Sequence, residues 1–87
     1  MIIGYREQIN KIVIIGQEGE RMTKHLGIYG LNILGTNTYT YYNRSGEHHI
    51  LDMHYIKELR LYHDKKLMIK ITNNGTERHD IEYYEEV

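Results

Sequence analysis

The 87 residues include no cysteine, proline, tryptophan or phenylalanine, and 11 basic against 12 acidic side chains leave a net charge of −1. That length makes one small domain, the missing cysteines exclude disulfides, thiolate metal sites and cysteine nucleophiles, and the charge excludes a polycation that grips nucleic acid by charge alone. The same features fit a reducing compartment, so a soluble cytoplasmic chain is expected.

Met1 to Glu7 lacks the basic start and long apolar stretch of a secretory signal. The longest apolar run, Ile12-Val13-Ile14-Ile15, is far too short to span a membrane, so no membrane partner is expected. Two N-x-S/T sequons, at Asn43 and Asn74, read as turn chemistry.

In chain order, Tyr5 to Asn10 has room for a single helical turn. Lys11 to Gly16 reads as a buried strand. Gln17-Glu18-Gly19 reads as a three-residue turn with glycine last, returning through Glu20 to His25. Ile28 to Gly35 is another strand, interrupted by Gly30 and flanked by Gly27 and Gly35, and glycine within a strand often marks a bulge or barrel corner. Thr36 to Tyr42 is strand-favouring, Asn43-Arg44-Ser45-Gly46 is a turn cluster, and His48 to Ile56 is the return strand. Leu51, Met53 and Tyr55 share one face of it and Ile50, Asp52, His54 and Ile56 the other. With apolar residues on both faces, this strand is either central or supports an interface.

The C-terminal third alternates with period two. Leu59, Leu61, Leu67, Ile69, Ile71, Ile81 and Tyr83 occupy odd positions, and Glu58, Arg60, Lys66, Lys70, Arg78, Asp80 and Glu82 even ones. Residues directly opposite in an antiparallel pair share a face, so a turn joining two odd-faced strands holds an odd number of residues. Asn73-Asn74-Gly75 would set Ile71 opposite Glu77, Ile69 opposite His79, Leu67 opposite Ile81 and Lys66 opposite Glu82. His63-Asp64-Lys65 would set Leu61 opposite Leu67, Leu59 opposite Ile69 and Glu58 opposite Lys70.

The expected fold is all-β: a small antiparallel barrel or sandwich of six or seven short strands, ending in a three-stranded meander. The glycine kinks tilt the choice towards a barrel. In length and strand rhythm alone the chain resembles Sm-like and SH3-like small barrels, a resemblance that identifies no family.

Four kinds of chemistry have candidate residues in the chain. His48, Asp52 and His54 share a strand face, and spacing of i, i+2 brings two ligands within reach of one zinc or nickel ion. No motif spacing is matched, and solvated surface residues explain the group as well, so no metal or cofactor is expected. His25, His54, His63 and His79 are candidate general bases, yet no nucleophile motif or phosphate-cradling loop accompanies them, so an enzyme is not expected. Small β-barrels can stack single-stranded nucleic acid on aromatics beside cations. Tyr39, Tyr41 and Tyr42 beside Arg44, and Arg60 with Tyr62, Lys65 and Lys66, have that composition, although Glu58 and Glu82 are placed to pair with the outer cations. A tyrosine-rich β surface also suits protein–protein contact. The tail Asp80 to Glu86, with Tyr84, is acidic and aromatic and suits a basic partner. Small domains without catalytic signatures often occupy a partner's surface, as inhibitors and antagonists carried by viruses or mobile elements do. The leading expectation is a non-enzymatic protein-binding domain that also self-associates. The binding surface is expected among Tyr39, Tyr41, Tyr42, Arg44, Arg60, Tyr62, Lys65, Lys66 and Tyr84. A single-stranded nucleic-acid binder is the alternative, and a histidine-based metal or small-ligand site the third.

Overall fold

In the computed structural model, residues 2–4, 9–75 and 78–84 are described. Nine strands run through them: β1 (Ile2–Ile3), β2 (Lys11–Gly16), β3 (Arg21–His25), β4 (Leu31–Ile33), β5 (Thr38–Tyr42), β6 (His48–Asp52), β7 (Ile56–His63), β8 (Lys66–Asn73) and β9 (His79–Tyr83). They form two antiparallel sheets, one ordered β1-β4-β5-β6 and the other β3-β2-β7-β8-β9. The all-β expectation holds, with nine strands against the six or seven read from the sequence; β1 falls where no strand was expected, and of Ile28 to Gly35 only Leu31–Ile33 is strand. The sheets face each other as a sandwich and do not close into the barrel that the glycines favoured. No helix among the described residues is long and apolar enough to cross a membrane.

The change of sheet occurs inside the segment read as one strand, His48 to Ile56. Asp52 ends β6, and its carboxylate accepts the backbone N–H of His54 at 3.0 Å, capping a single 3-10 turn at Met53–Tyr55. Aspartate suits this position because a short acceptor satisfies an N–H that the turn leaves open. The chain leaves the turn into β7 in the other sheet. Leu51 and Met53 from one face of that run are buried, as is Ile56 from the other, and the turn swings Tyr55 outward into solvent.

The first hairpin follows the sequence reading. Gly16 N–H donates to Glu20 O, Ile15 lies opposite Arg21, and Gly19 takes the left-handed conformation that the three-residue turn requires. The C-terminal meander keeps the expected odd-with-odd pairing but differs in register. β7 and β8 place Leu61 opposite Ile69 and Leu59 opposite Ile71. The loop has two residues, Asp64-Lys65, with His63 opposite Lys66, and a bulge beside Tyr62 restores the parity. β8 and β9 place Ile71 opposite Ile81, Lys70 opposite Glu82 and Ile69 opposite Tyr83. Asn74 N–H donates to Arg78 O, so the hairpin closes on that pair and its turn sits two residues further along the chain than expected. Glu77, expected opposite Ile71, lies outside the described residues, as do residues 5–8 of the expected helical turn.

The core is the space between the sheets. Ile12, Leu59, Leu61, Ile69 and Ile71 come from the five-stranded sheet, and Ile3, Leu31, Tyr39, Tyr41 and Leu51 from the four-stranded one. Leu26 and Ile9 close one end, while Met53 and Ile56 bury the crossover. This apolar burial is the main stabilising term available to a chain without disulfides.

Candidate binding surface

The nine residues read as a binding surface do not come together. Tyr39 and Tyr41 are 1% and 3% exposed, and burial raises both phenol pKa values above the ordinary value. Their rings are core, so neither offers a stacking face to a ligand. Arg60 and Tyr62 lie on the outer face of the five-stranded sheet. Glu58 accepts a hydrogen bond from Arg60 Nε, an interaction that raises the arginine pKa. Lys11 Nζ sits 4.7 Å from the Tyr62 ring centroid. Lys65 lies in the β7–β8 turn and Lys66 opens β8. Tyr84 follows β9, and its hydroxyl donates to Glu82 at 3.1 Å. The pairing expected for Glu58 with Lys70 and Glu82 with Lys66 is replaced by Glu58 with Arg60 and Lys70 opposite Glu82.

Tyr42 remains at a surface that the sequence reading only half anticipated, while Arg44 is exposed in the turn after β5. On the outer face of the four-stranded sheet, Thr40 lies between Asn32 and Ile50, with Tyr42 opposite His48 and Ile2 opposite Asn32. Ile50 is 68% exposed, and Ile2, Leu34, Tyr29 and Tyr42 are exposed as well. The Tyr42 ring stacks on His48 at 4.8 Å between centroids and meets Tyr29 edge-on at 5.8 Å. These side chains wall a shallow trough of about 320 Å³ lined by Ile2, Tyr29, Leu34, Thr40, Tyr42 and His48, among others. Thr40, only 3% exposed, is covered by its larger neighbours.

Charge separates this face from the rest of the molecule. The strands β1, β4, β5 and β6 contain no lysine, arginine or glutamate, and Asp52 is their single acid. The five strands of the other sheet carry Lys11, Arg21, Lys24, Lys57, Glu58, Arg60, Lys66, Lys70, Asp80 and Glu82. One sheet thus presents a solvated, charge-laced outer face and the other an apolar one. Large exposed apolar residues gathered on one face mark interaction surfaces more often than scattered ones do.

The histidines do not assemble a metal site. Among the described residues no three histidine, aspartate or glutamate side chains group where an ion could sit. Asp52 and His54 form a pair, 2.8 Å from Oδ1 to Nδ1. The backbone N–H of His54 and then its ring hold the aspartate below the usual carboxylate pKa. His48 and His49 lie on opposite faces of β6, where they stack on Tyr42 and Tyr41 respectively.

No family model matches the chain, and comparison with curated proteins and with solved structures likewise gives no match.

Proposed function

We propose that this chain is a non-enzymatic binding protein that acts by protein–protein contact through the outer face of its four-stranded sheet. The observation that carries the reading is the uncharged trough flanked by Ile2, Tyr29, Leu34, Tyr42 and Ile50. Four strands at a spacing of ~4.8 Å and a rise of ~3.3 Å per residue offer roughly 300 Å² of flat sheet. That matches the size of functional apolar patches but falls below the ~800 Å² each partner contributes to a standard interface. A stable partner therefore also covers Tyr29 at the rim and the open edge of β6. Self-association through the same face is the simplest form of such contact.

The nucleic-acid reading is weakened, because Tyr39 and Tyr41, two of the rings it needed for stacking, are buried.

Ile50→Lys is the discriminating variant. It places a charge at the centre of the apolar face while touching no core residue, so the fold should be kept. Sedimentation over a concentration series, and capture of partners from the native host, should show association by the wild type and its loss in Ile50→Lys. Association unchanged in a folded Ile50→Lys variant would remove this face from the account. Micromolar binding of mixed-sequence single-stranded DNA or RNA at about 150 mM salt would favour the nucleic-acid reading instead.

A further inference from the structure

One end of the sandwich holds a second concavity. The loop Leu26–Tyr29 is pinned there between the sheets: Leu26 N–H donates to Asn10 O at 3.0 Å, and Gly27 N–H donates to Tyr42 O at 2.7 Å. The neighbouring turn Asn43–Gly46 is fixed by its own asparagine. Asn43 Oδ1 accepts from the backbone N–H groups of Ser45 and Glu47 at 3.0 and 2.9 Å, and Gly46 N–H closes the turn on Asn43 O. Both walls are thus held by hydrogen bonds within the protein, so the concavity exists before any ligand arrives.

Two adjoining cavities share Asn43 and Arg44 in their linings. The larger, about 550 Å³, is apolar, with Ile9 and Leu26 buried at its base and Ile28 and Tyr29 exposed at its walls. Its asparagines are already engaged, Asn10 with Asp64 and Asn43 with its own turn, so Arg44 and His63 are the other polar side chains in its lining. The smaller, about 310 Å³, is lined by Lys24, His25, Arg44 and His49, with Tyr41, Asn43 and Ser45. No carboxylate lines either cavity. Glu47 and Asp64 stand behind the lining, where Glu47 accepts from Asn43 and Asp64 from Asn10, with Asp64 Oδ2 also 3.6 Å from His63 Nε2. Arg44 stands where the two cavities meet and is exposed, and no ion pair or hydrogen bond engages its guanidinium among the described residues. In a chain with more acids than bases, a cationic cleft free of carboxylates beside an apolar chamber is a specific charge arrangement.

We propose that this double cavity binds a single-chain amphipathic anion. The apolar body occupies the Ile9–Leu26–Ile28–Tyr29 chamber, and the carboxylate or phosphate head lies against Arg44 and Lys24. At roughly 30 Å³ per heavy atom, and with its mouth open, the chamber accommodates an apolar body of about ten to fifteen atoms. Arginine is suited to the junction because its planar fork meets carboxylate or phosphate with two parallel hydrogen bonds. The site shares Tyr29 and Tyr41 with the trough but does not depend on the protein-contact reading.

The test is calorimetric titration of the full chain with decanoate, decyl phosphate, decanol, acetate and inorganic phosphate. The two charged amphiphiles should bind about tenfold or more tightly than decanol, and the heads alone should bind negligibly. Arg44→Ala should weaken amphiphile binding roughly fivefold or more. Lys24→Ala, on a different strand, should weaken it as well, which keeps the test decisive if one variant folds poorly. Lys57→Ala, away from both cavities, should leave binding unchanged, and so should Ile50→Lys, which disables only the trough. Decanol binding as tightly as decanoate, or Arg44→Ala and Lys24→Ala both binding like the wild type, would overturn the proposal. So would binding to phosphatidylglycerol vesicles without binding of the free amphiphiles, because the site would then be a surface for lipid and not a chamber.

Discussion

Between the sheets, the phenol of Tyr39 on β5 and the imidazole of His79 on β9 meet at 2.7 Å from Oη to Nδ1, with their rings edge-on at 5.6 Å. The second ring nitrogen of His79, Nε2, is buried and has no hydrogen-bond partner among the described residues. Burial lowers the His79 pKa, because the charged ring would carry its added proton into a place with too few acceptors. The sign follows directly. An unfolded chain takes up this proton near pH ~6.5, whereas the folded chain resists it to lower pH. The folded state keeps its full stability above the ordinary histidine value and loses part of it as the pH falls through that value towards the depressed one. Urea midpoints at pH 7.5 and 5.5 should show the loss, and His79→Gln should reduce the difference between them. Tyr39→Phe should cost about 1–2 kcal/mol at neutral pH, the loss of one bond plus an orphaned buried partner. Parity alone already put His79 on the face of Ile69 and Ile71. What single residues could not show is that β5 lies across from β9, so the tyrosine and the histidine were read as surface chemistry. The alternation of Thr38, Tyr39, Thr40 and Tyr41 was the available signal for the buried rings.

Elements were legible to the extent that parity constrains them. Turns of three and five residues preserve the same parity, and so does a two-residue turn followed by a bulge. All three satisfy the alternation of the C-terminal third, so the faces came out right while the registers slipped. Full pair matching would have favoured the later β8–β9 turn, because it sets Ile71 against Ile81 and Lys70 against Glu82. The β6–β7 crossover was hidden for a different reason: the run from His48 to Ile56 is β-favouring throughout, and only Asp52 marks the place where a cap can end a strand. The N-terminal edge depends on a glycine. Gly30 has φ +72°, and a Cβ there would lie 2.2 Å from the carbonyl oxygen of Ile3, where β1 joins β4. Gly30→Ala should therefore cost about 2 kcal/mol or more and loosen β1, through backbone strain and displacement together. Gly35→Ala, with open space around it and no left-handed backbone, should stay within about 0.5 kcal/mol of the wild type. Denaturant melts of the two variants side by side check the contrast.

Across the whole molecule, stability concentrates in the middle of the five-stranded sheet. β7 is paired on both sides, by β2 and β8, and Leu59, Leu61, Ile12 and Ile71 are fully buried along that band. β3 is an edge strand exposed along its whole length. Amide hydrogen exchange should be slowest around Leu59–Leu61 and fastest, among the strands, in β3 and β1. Equal protection of β3 and β7 would contradict this packing. The apolar face of the smaller sheet was partly visible in the sequence, since His48 to Ile56 carried apolar residues on both of its faces. Its extent was not, because Ile2, Leu34, Tyr42 and Ile50 are far apart along the chain and only the order β1-β4-β5-β6 brings them together.

The contrast between the two outer faces gives the molecule a built-in top and bottom. Its dimensions are 32 × 31 × 25 Å, with the ionic groups of its strands almost all in one sheet. At any boundary between water and a less polar medium, such a body has one preferred orientation. It should lie with the smaller sheet turned from the water, as a surfactant molecule does on a thirty-ångström scale.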